Sequence, residues 1–232
     1  MTRPKAVLTL LGAFELLRDG TLVRLPIPAQ RLVAYLALEG RPLHRVYVAG
    51  ALWLNSSETH ASGSLRSALW RLRRSGCELI EETDHKLQVS RRVVVDVVEA
   101  NAWAARIQDP SQPIRAKDVA MASVASELLC DWYDDWVVLE RERFRQVRAH
   151  ALETLCARLV AADRFGEAIE VGLAAVHNEP LRESSHRAVI RVHLAEGNRA
   201  EALRHYAYYR QLVSDEPGVK PSARMEELVR AR

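Results

Sequence analysis

The first 25 positions of the chain carry short apolar runs separated by turn residues. Such runs are typical of strands, and they predict strands at 7–12, 14–17 and 22–25. Asp19 and Gly20, between the last two runs, indicate a two-residue hairpin turn. Pro26 and Pro28 are expected to block helix and to keep the backbone before them extended. The chain is therefore predicted to open with a small sheet.

After the prolines, apolar positions recur about every 3.6 residues, which is typical of amphipathic helices. This spacing predicts helices at 30–39, 45–54 and 58–75. Gly40 and Gly76 follow the first and the third of them, where glycine commonly ends a helix. Two alternating runs, at 79–82 and 86–89, surround the polar residues 83–85, and a third run covers 93–95. The two runs predict a hairpin wing, so the whole segment is predicted to be a winged helix-turn-helix with a leading β-sheet.

The third predicted helix has two unlike faces. Helical geometry places Leu65, Ala68, Leu69 and Leu72 on one stripe, whereas the opposite side carries Ser67, Trp70, Arg71 and Arg74. Residues 64–74 include no Asp or Glu. A helix with one anchored face and one basic face suits a nucleic-acid groove, although a solvated arginine face explains the pattern as well.

From residue 96 onward the pattern predicts a mainly helical second half. Apolar spacing predicts helices at 98–107, 119–129 and 136–162, with a breaker at 109–113 between the first two. The pair Glu167-Ala168 recurs as Glu201-Ala202, an offset of 34 residues. That is the tetratricopeptide period, in which paired helices stack into a solenoid. We therefore expect a winged-helix domain at 1–95 and a tetratricopeptide-like all-α domain at 96–232.

The charge is unevenly distributed between these two parts. The net charge is +3, but residues 1–95 hold 14 Lys and Arg against 8 Asp and Glu, and the remainder holds 19 against 22. The three cysteines are widely spaced, which favours a reducing compartment over a disulfide framework or a thiolate metal site. Because the sequence contains no uncharged run of membrane-spanning length, we expect a cytoplasmic protein that does not contact membrane. The basic half is the expected site of partner binding.

The candidate DNA contacts follow from these faces. Arg71 and Arg74 point away from the leucine stripe and are the first choices for base edges, with Ser67 permitting close approach. Arg66 and Arg73 on the flank favour phosphate. Trp70 fits either DNA contact or core packing. The full candidate set is Arg45, Ser64, Arg66, Ser67, Trp70, Arg71, Arg73, Arg74, His85, Lys86, Arg91 and Arg92. For Arg45, His85, Lys86, Arg91 and Arg92, phosphate contact and simple solvation are equally compatible with the sequence.

The residues do not indicate an enzyme. Asp134 and Asp135, beside aromatic residues, suggest a paired-carboxylate sugar site, but neighbours on one helix diverge by about 100° and cannot flank one bond. Metalloprotease, nucleophile-elbow, phosphate-loop and dinucleotide-binding patterns are not found in the sequence. We therefore expect no catalytic residue, no metal ligand and no cofactor.

The sequence resembles the SARP-type activators of bacterial antibiotic pathways, whose winged helix is similar to the DNA-binding domains of two-component response regulators. In the first half the matching stretches are 30–38, 52–53, 65–74 and 95–96. In the second half, which resembles the bacterial transcriptional activator domain, they are Trp136, Arg141, 179–187, Gly197, 201–203, Tyr206 and 218–222. The departures are Asp84-His85 for a Gly-Tyr pair in the wing, Pro217 for a leucine and Asp131 for a glycine.

This resemblance implies a sequence-specific activator of a secondary-metabolite gene cluster. It further implies that two protomers bind direct repeats of promoter DNA as a homodimer and contact RNA polymerase holoenzyme. The alternative is a helical-repeat adaptor whose winged domain binds protein instead of DNA. Steep salt dependence of DNA affinity is expected of the activator and not of the adaptor.

Overall fold

The computed structural model describes residues 6–124 and 127–230. The chain is mainly helical with two small sheets, as predicted, and it divides into two compact units. The first unit comprises the described residues up to Ala100 together with the segment 127–141. The second unit comprises the segment 101–124 and the described residues from Glu142 onward. This division differs from a single boundary after residue 95, because the segment 127–141 packs with the first unit.

The first unit opens with a four-stranded sheet in the order β3-β2-β1-β7. Its strands are β1 (Ala6–Thr9), β2 (Glu15–Arg18), β3 (Thr21–Leu22) and β7 (Val93–Val95). β1 pairs antiparallel with β2 and parallel with β7, so the chain returns to its start after the wing. The predicted hairpin turn is confirmed, because Arg18 pairs with Thr21 and both Asp19 and Gly20 have positive φ angles.

Three helices and a second sheet complete the winged helix. The helices are α1 (Ile27–Glu39), α2 (Arg45–Leu52) and α3 (Glu58–Arg74), and the second sheet has the order β4-β6-β5, with β4 (Leu43–His44), β5 (Ile80–Thr83) and β6 (Lys86–Val89). β5 and β6 form the predicted wing. β4 was not predicted, since two residues are too few to show an alternating pattern.

Pro28 lies inside the first turn of α1, which corrects the expectation that it blocks helix. The first-turn N–H groups of a helix have no partner within the helix, so a proline there removes no hydrogen bond.

The predicted helix at 119–129 is wrong beyond its first turn. Leu128 forms an isolated antiparallel bridge with Leu11, and the N–H of Leu129 donates to the carbonyl of Leu10 at 2.9 Å. Leu128 and Leu129 are fully buried in the first unit. Their apolar spacing therefore reflects an extended segment against the first sheet, and α5 ends at Ala122.

The second unit contains the repeat predicted from the 34-residue offset. Its helices include α5 (Ala116–Ala122), α7 (Phe165–Asn178), α8 (Glu183–Ala195), α9 (Arg199–Ser214) and α10 (Ala223–Arg230). α4 (Asp96–Gln108) and α6 (Asp135–Val160) each begin in the first unit and continue into the second along the chain. α8 packs against both α7 and α9, and α10 packs against α8 and α9, which is the stacking expected of paired helices.

Candidate nucleic-acid interface

The third helix is anchored by the stripe that the sequence predicted. Ala61, Leu65, Ala68, Leu69 and Leu72 are all buried, and α3 packs through them on α1 and α2. The N-terminus is capped by Ser57, whose Oγ accepts the N–H of residue 60 at 3.4 Å. Because the apolar face of α3 is fixed against α1 and α2, the opposite face is held towards the solvent.

The opposite face of α3 is exposed and basic. Arg66, Ser67, Arg71 and Arg74 are exposed, and Trp70 is 53% exposed, so Trp70 does not fill the core. The guanidinium carbon of Arg74 lies 4.7 Å from the ring centre of Trp70, which is a cation–π distance. Both residues of this stack are exposed.

This face forms one side of an open groove of about 1050 Å³ within the first unit. Its lining comprises Pro28, Arg45, Trp53, Thr59, His60, Gly63, Ser64, Arg66, Ser67, Ala68, Leu69, Trp70, Arg71 and Arg73. Four arginines line the groove, and none of its lining residues is acidic. The groove thus offers hydrogen-bond donors and positive charge to a bound partner.

Seven of the twelve predicted contacts line this groove, and five do not. Those outside the lining are Arg74, His85, Lys86, Arg91 and Arg92. His85 and Lys86 are exposed at the wing tip, where the His85 carbonyl accepts the backbone N–H of Arg45 at 2.8 Å. Arg92 instead lines a separate cavity of about 240 Å³ and forms an ion pair with Glu78. Seven candidate residues therefore lie together along one groove, whereas the Arg92 side chain is directed towards Glu78 and another cavity.

The arginines of the groove differ in their partners. Arg73 Nη2 donates to Glu82 Oε1 at 2.6 Å, and Arg45 Nη1 donates to Glu82 Oε2 at 2.9 Å. Burial would raise the pKa of Glu82, but the hydrogen bonds from Arg73 and Arg45 outweigh it and hold the pKa below its usual range. Within the described part of the chain, Arg66 and Arg71 form no ion pair. Sequence reasoning missed Glu82; its alternation with Ile80 in the wing strand was the available signal.

The expectation that Asp134 and Asp135 lie on one helix is wrong. Asp134 precedes α6 instead of lying on it, and its carboxylate forms an ion pair with Arg31. The Asp134 carboxylate therefore serves to fix the segment 127–141 in the first unit.

In the second unit, the 179–187 motif forms a polar network. Glu153 Oε1 accepts hydrogen bonds from Arg182 Nε at 2.7 Å, Ser184 Oγ at 2.6 Å and Ser185 Oγ at 3.1 Å. The network ties α6 to the start of α8. The motif thus stabilises the helix stack, because Arg182, Ser184 and Ser185 donate hydrogen bonds to Glu153 within the same unit.

Among residues 6–124 and 127–230, no helix is long and apolar enough to span a membrane. In the same ranges, His, Cys, Asp and Glu side chains form no group of three that could hold a metal ion.

The fold and the groove define a winged helix-turn-helix protein that carries a tetratricopeptide-like unit. The family profile of the bacterial transcriptional activator domain matches residues 92–231. The chain belongs to this family, and the resemblance to SARP-type activators is confirmed. It is thus a member of a family of bacterial transcriptional activators.

Two known proteins are similar over nearly the whole chain. The regulatory protein AfsR of Streptomyces coelicolor is 26% identical over 229 residues, which is 94% of this chain and 23% of AfsR. Mycobacterium tuberculosis EmbR, solved in complex with a low affinity phosphopeptide, matches with a TM-score of 0.71 and 19% identity over 98% of this chain and 65% of EmbR. The chain thus spans less than a quarter of AfsR and about two thirds of EmbR.

Proposed function

We propose that the protein activates transcription by binding promoter DNA in the major groove through α3. The observation that carries the proposal is the groove beside α3, which is lined by four arginines and no acid. α3 is long enough to lie in a major groove, and its anchored stripe keeps the basic face outward. Arg66 and Arg71, which form no ion pair with any described residue, supply guanidinium groups to the bases. Ser67 permits close approach, and Arg45 and Arg73 reach phosphate at the rim.

We further propose that His85, Lys86, Arg91 and Arg92 meet the phosphate backbone beside the groove. Wing residues of a winged helix lie next to the recognition helix on the duplex. For Arg92, this requires that a phosphate replace the Glu78 carboxylate as the partner of its guanidinium group. Both side chains of the Arg92–Glu78 ion pair are more than half exposed, so the pair is expected to be weak.

Arg71→Ala should weaken binding to a selected duplex by about 1 to 3 kcal/mol, because a bidentate arginine contact with guanine is worth that much. Arg71→Lys keeps the positive charge but cannot form the bidentate contact with guanine. It should therefore recover only the part of the binding free energy that comes from electrostatic attraction to phosphate. Arg24→Ala is the matched control, since Arg24 is an exposed arginine of the same unit outside the groove lining. Gel shifts with duplexes selected from a random library, together with circular dichroism, measure these effects.

A folded Arg66→Ala, Arg71→Ala double variant with unchanged affinity would remove α3 from the interface. The same titrations distinguish the adaptor alternative. A DNA-binding activator shows log affinity falling with log salt by about 0.9 per neutralised phosphate, whereas an adaptor shows no such dependence.

Two protomers are proposed to bind direct repeats as a homodimer, as the family resemblance implies. One recognition helix reads too few base pairs for tight binding, and adjacent half-sites about one helical turn apart place both protomers on one side of the duplex. Insertion of about half a turn, ~5 base pairs, between the repeats should abolish cooperative binding. Retained cooperativity in a gel-shift titration would contradict the tandem arrangement.

The second unit is proposed to mediate protomer pairing and contact with RNA polymerase holoenzyme in the cytoplasm. Stacked helical pairs commonly present a groove to another protein. The genes controlled are proposed to be those of an antibiotic cluster, on the resemblance to SARP-type activators. In vitro transcription at matched promoter occupancy tests the polymerase contact.

A further inference from the structure

Glu82 joins three elements of the winged helix. It lies on the wing strand β5, and its two carboxylate oxygens accept separate guanidinium groups, from Arg45 at the start of α2 and from Arg73 in the last turn of α3. The Glu82 side chain is 25% exposed, compared with 67% for Arg73. Both guanidinium groups line the groove proposed to bind DNA.

Strand geometry explains why Glu82 faces the helix and its neighbour does not. Successive side chains of a strand point to opposite faces, so Glu82 shares a face with Ile80 and lies beside Leu69 and Arg73 around a cavity of about 290 Å³. Glu81 points the other way. Its carboxylate accepts hydrogen bonds from Gln88 Nε2 at 2.7 Å, from Ser90 Oγ at 2.8 Å and from the backbone N–H of Arg91 at 3.2 Å.

The groove therefore holds two kinds of arginine. Arg45 and Arg73 are oriented and partly neutralised by Glu82, whereas Arg66 and Arg71 form no ion pair among the residues that the structure describes. A guanidinium has five N–H donors, so one bond to Glu82 leaves others directed outward. An oriented arginine contacts a phosphate only where the backbone passes its fixed position.

We propose that Glu82 is a positioning residue that determines DNA specificity by fixing Arg45 and Arg73 at the rim of the groove. This inference rests on the proposed function. Binding to random DNA is almost entirely electrostatic and needs only mobile positive charge near phosphate. Glu82 reduces that contribution and retains the two guanidinium groups for the register in which α3 reads bases. It thereby widens the difference between selected and random DNA.

Glu82→Gln in the full chain tests the proposal, with Glu81→Gln as the matched control that removes the same charge one residue away. The probes are duplexes selected by the wild-type protein from a random library and unselected duplexes from that library. Release of two arginines should raise affinity for unselected duplexes about three- to tenfold and steepen the salt slope by roughly 1 to 2. The ratio of selected to unselected affinity should fall about three- to tenfold. Glu81→Gln should shift both affinities alike and leave the ratio unchanged.

Glu82→Asp keeps the charge but shortens the side chain by one methylene group, which should weaken its hydrogen bonds to Arg45 and Arg73. This variant should also lower the ratio of selected to unselected affinity. It replaces Glu82→Gln in the experiment if thermal unfolding shows Glu82→Gln to be misfolded. A wild-type ratio in Glu82→Asp, or equal ratios in Glu82→Gln and Glu81→Gln, would overturn the positioning role and leave the DNA-binding proposal intact. Failure of the wild-type protein to enrich or bind any duplex would overturn both.

Discussion

A fragment that ends at Asp96 should lose much of the stability of the first unit, although it contains every element of the winged helix. The missing segment 127–141 supplies Leu128 and Leu129, both fully buried, and burial of each leucine contributes about 1.5 to 3 kcal/mol. It also supplies Trp136, whose ring lies edge-on to Tyr35 with centres 5.2 Å apart. The expected loss is at least about 3 kcal/mol, against a total of about 5 to 15 kcal/mol for a domain.

For a domain of this size, that loss lowers the Tm by about 12 to 24 °C. The matched comparison is a fragment ending at Arg141, which contains the whole of the first unit. Thermal unfolding followed by circular dichroism measures both fragments. Equal Tm values would show that segment 127–141 does not stabilise the winged helix, and any DNA-binding test of a minimal fragment should accordingly extend to Arg141.

The second unit should lose stability as the pH falls from about 6.5 towards 4. His186 is fully buried, its ring lies 3.1 Å from Nε2 of His205, and its Nε2 donates to the Pro180 carbonyl at 2.7 Å. Burial, and then the proximity of His186 and His193, lowers the pKa of His205 to about 4. Burial likewise lowers the pKa of His186, against the opposing effects of the Pro180 carbonyl and Glu183.

The sign of the pH dependence follows from these directions. Because the folded state resists protonation and the unfolded state does not, stability is complete above the unfolded pKa of about 6.5 and declines as the pH falls through that value. The fully buried limit for His205 is about 3 kcal/mol, and partial exposure reduces the expected loss to roughly 2 kcal/mol. Carboxylates with lowered pKa values, such as Glu153, stabilise the folded state above their ordinary pKa of 4.5, and this stabilisation is lost only as the pH falls below that value.

His205→Gln keeps a hydrogen-bond donor towards His186 and removes the titrating ring. Urea unfolding between pH 7 and about pH 5 should show a smaller loss in this variant than in the wild-type protein. His177→Gln, at an exposed position of α7, is the control and should behave as wild type. A wild-type pH dependence in His205→Gln would exclude this histidine as its source.

Local patterns predicted those parts of the molecule whose contacts are close in sequence. The stripe and the basic face of α3 followed from side chains three or four residues apart, and the Asp19-Gly20 turn followed from the dihedral angles that these residues tolerate. The 34-residue offset between Glu167 and Glu201 predicted the helical repeat because each repeat packs mainly on its neighbour. In each case the determining interaction spans one turn, one hairpin or one repeat.

The tertiary structure decided what depends on distant contacts. Leu11 meets Leu128 across more than a hundred residues, so the apolar spacing at 119–129 could not reveal that its end is extended. Glu82 meets Arg45 and Arg73 only because the wing folds back on α2 and α3, and a carboxylate on a hairpin otherwise looks solvated. The sequence by itself thus determined which face of α3 is basic. Which arginines of the groove are held by Glu82 depended on long-range packing, because charge pairing follows three-dimensional proximity and not spacing along the chain.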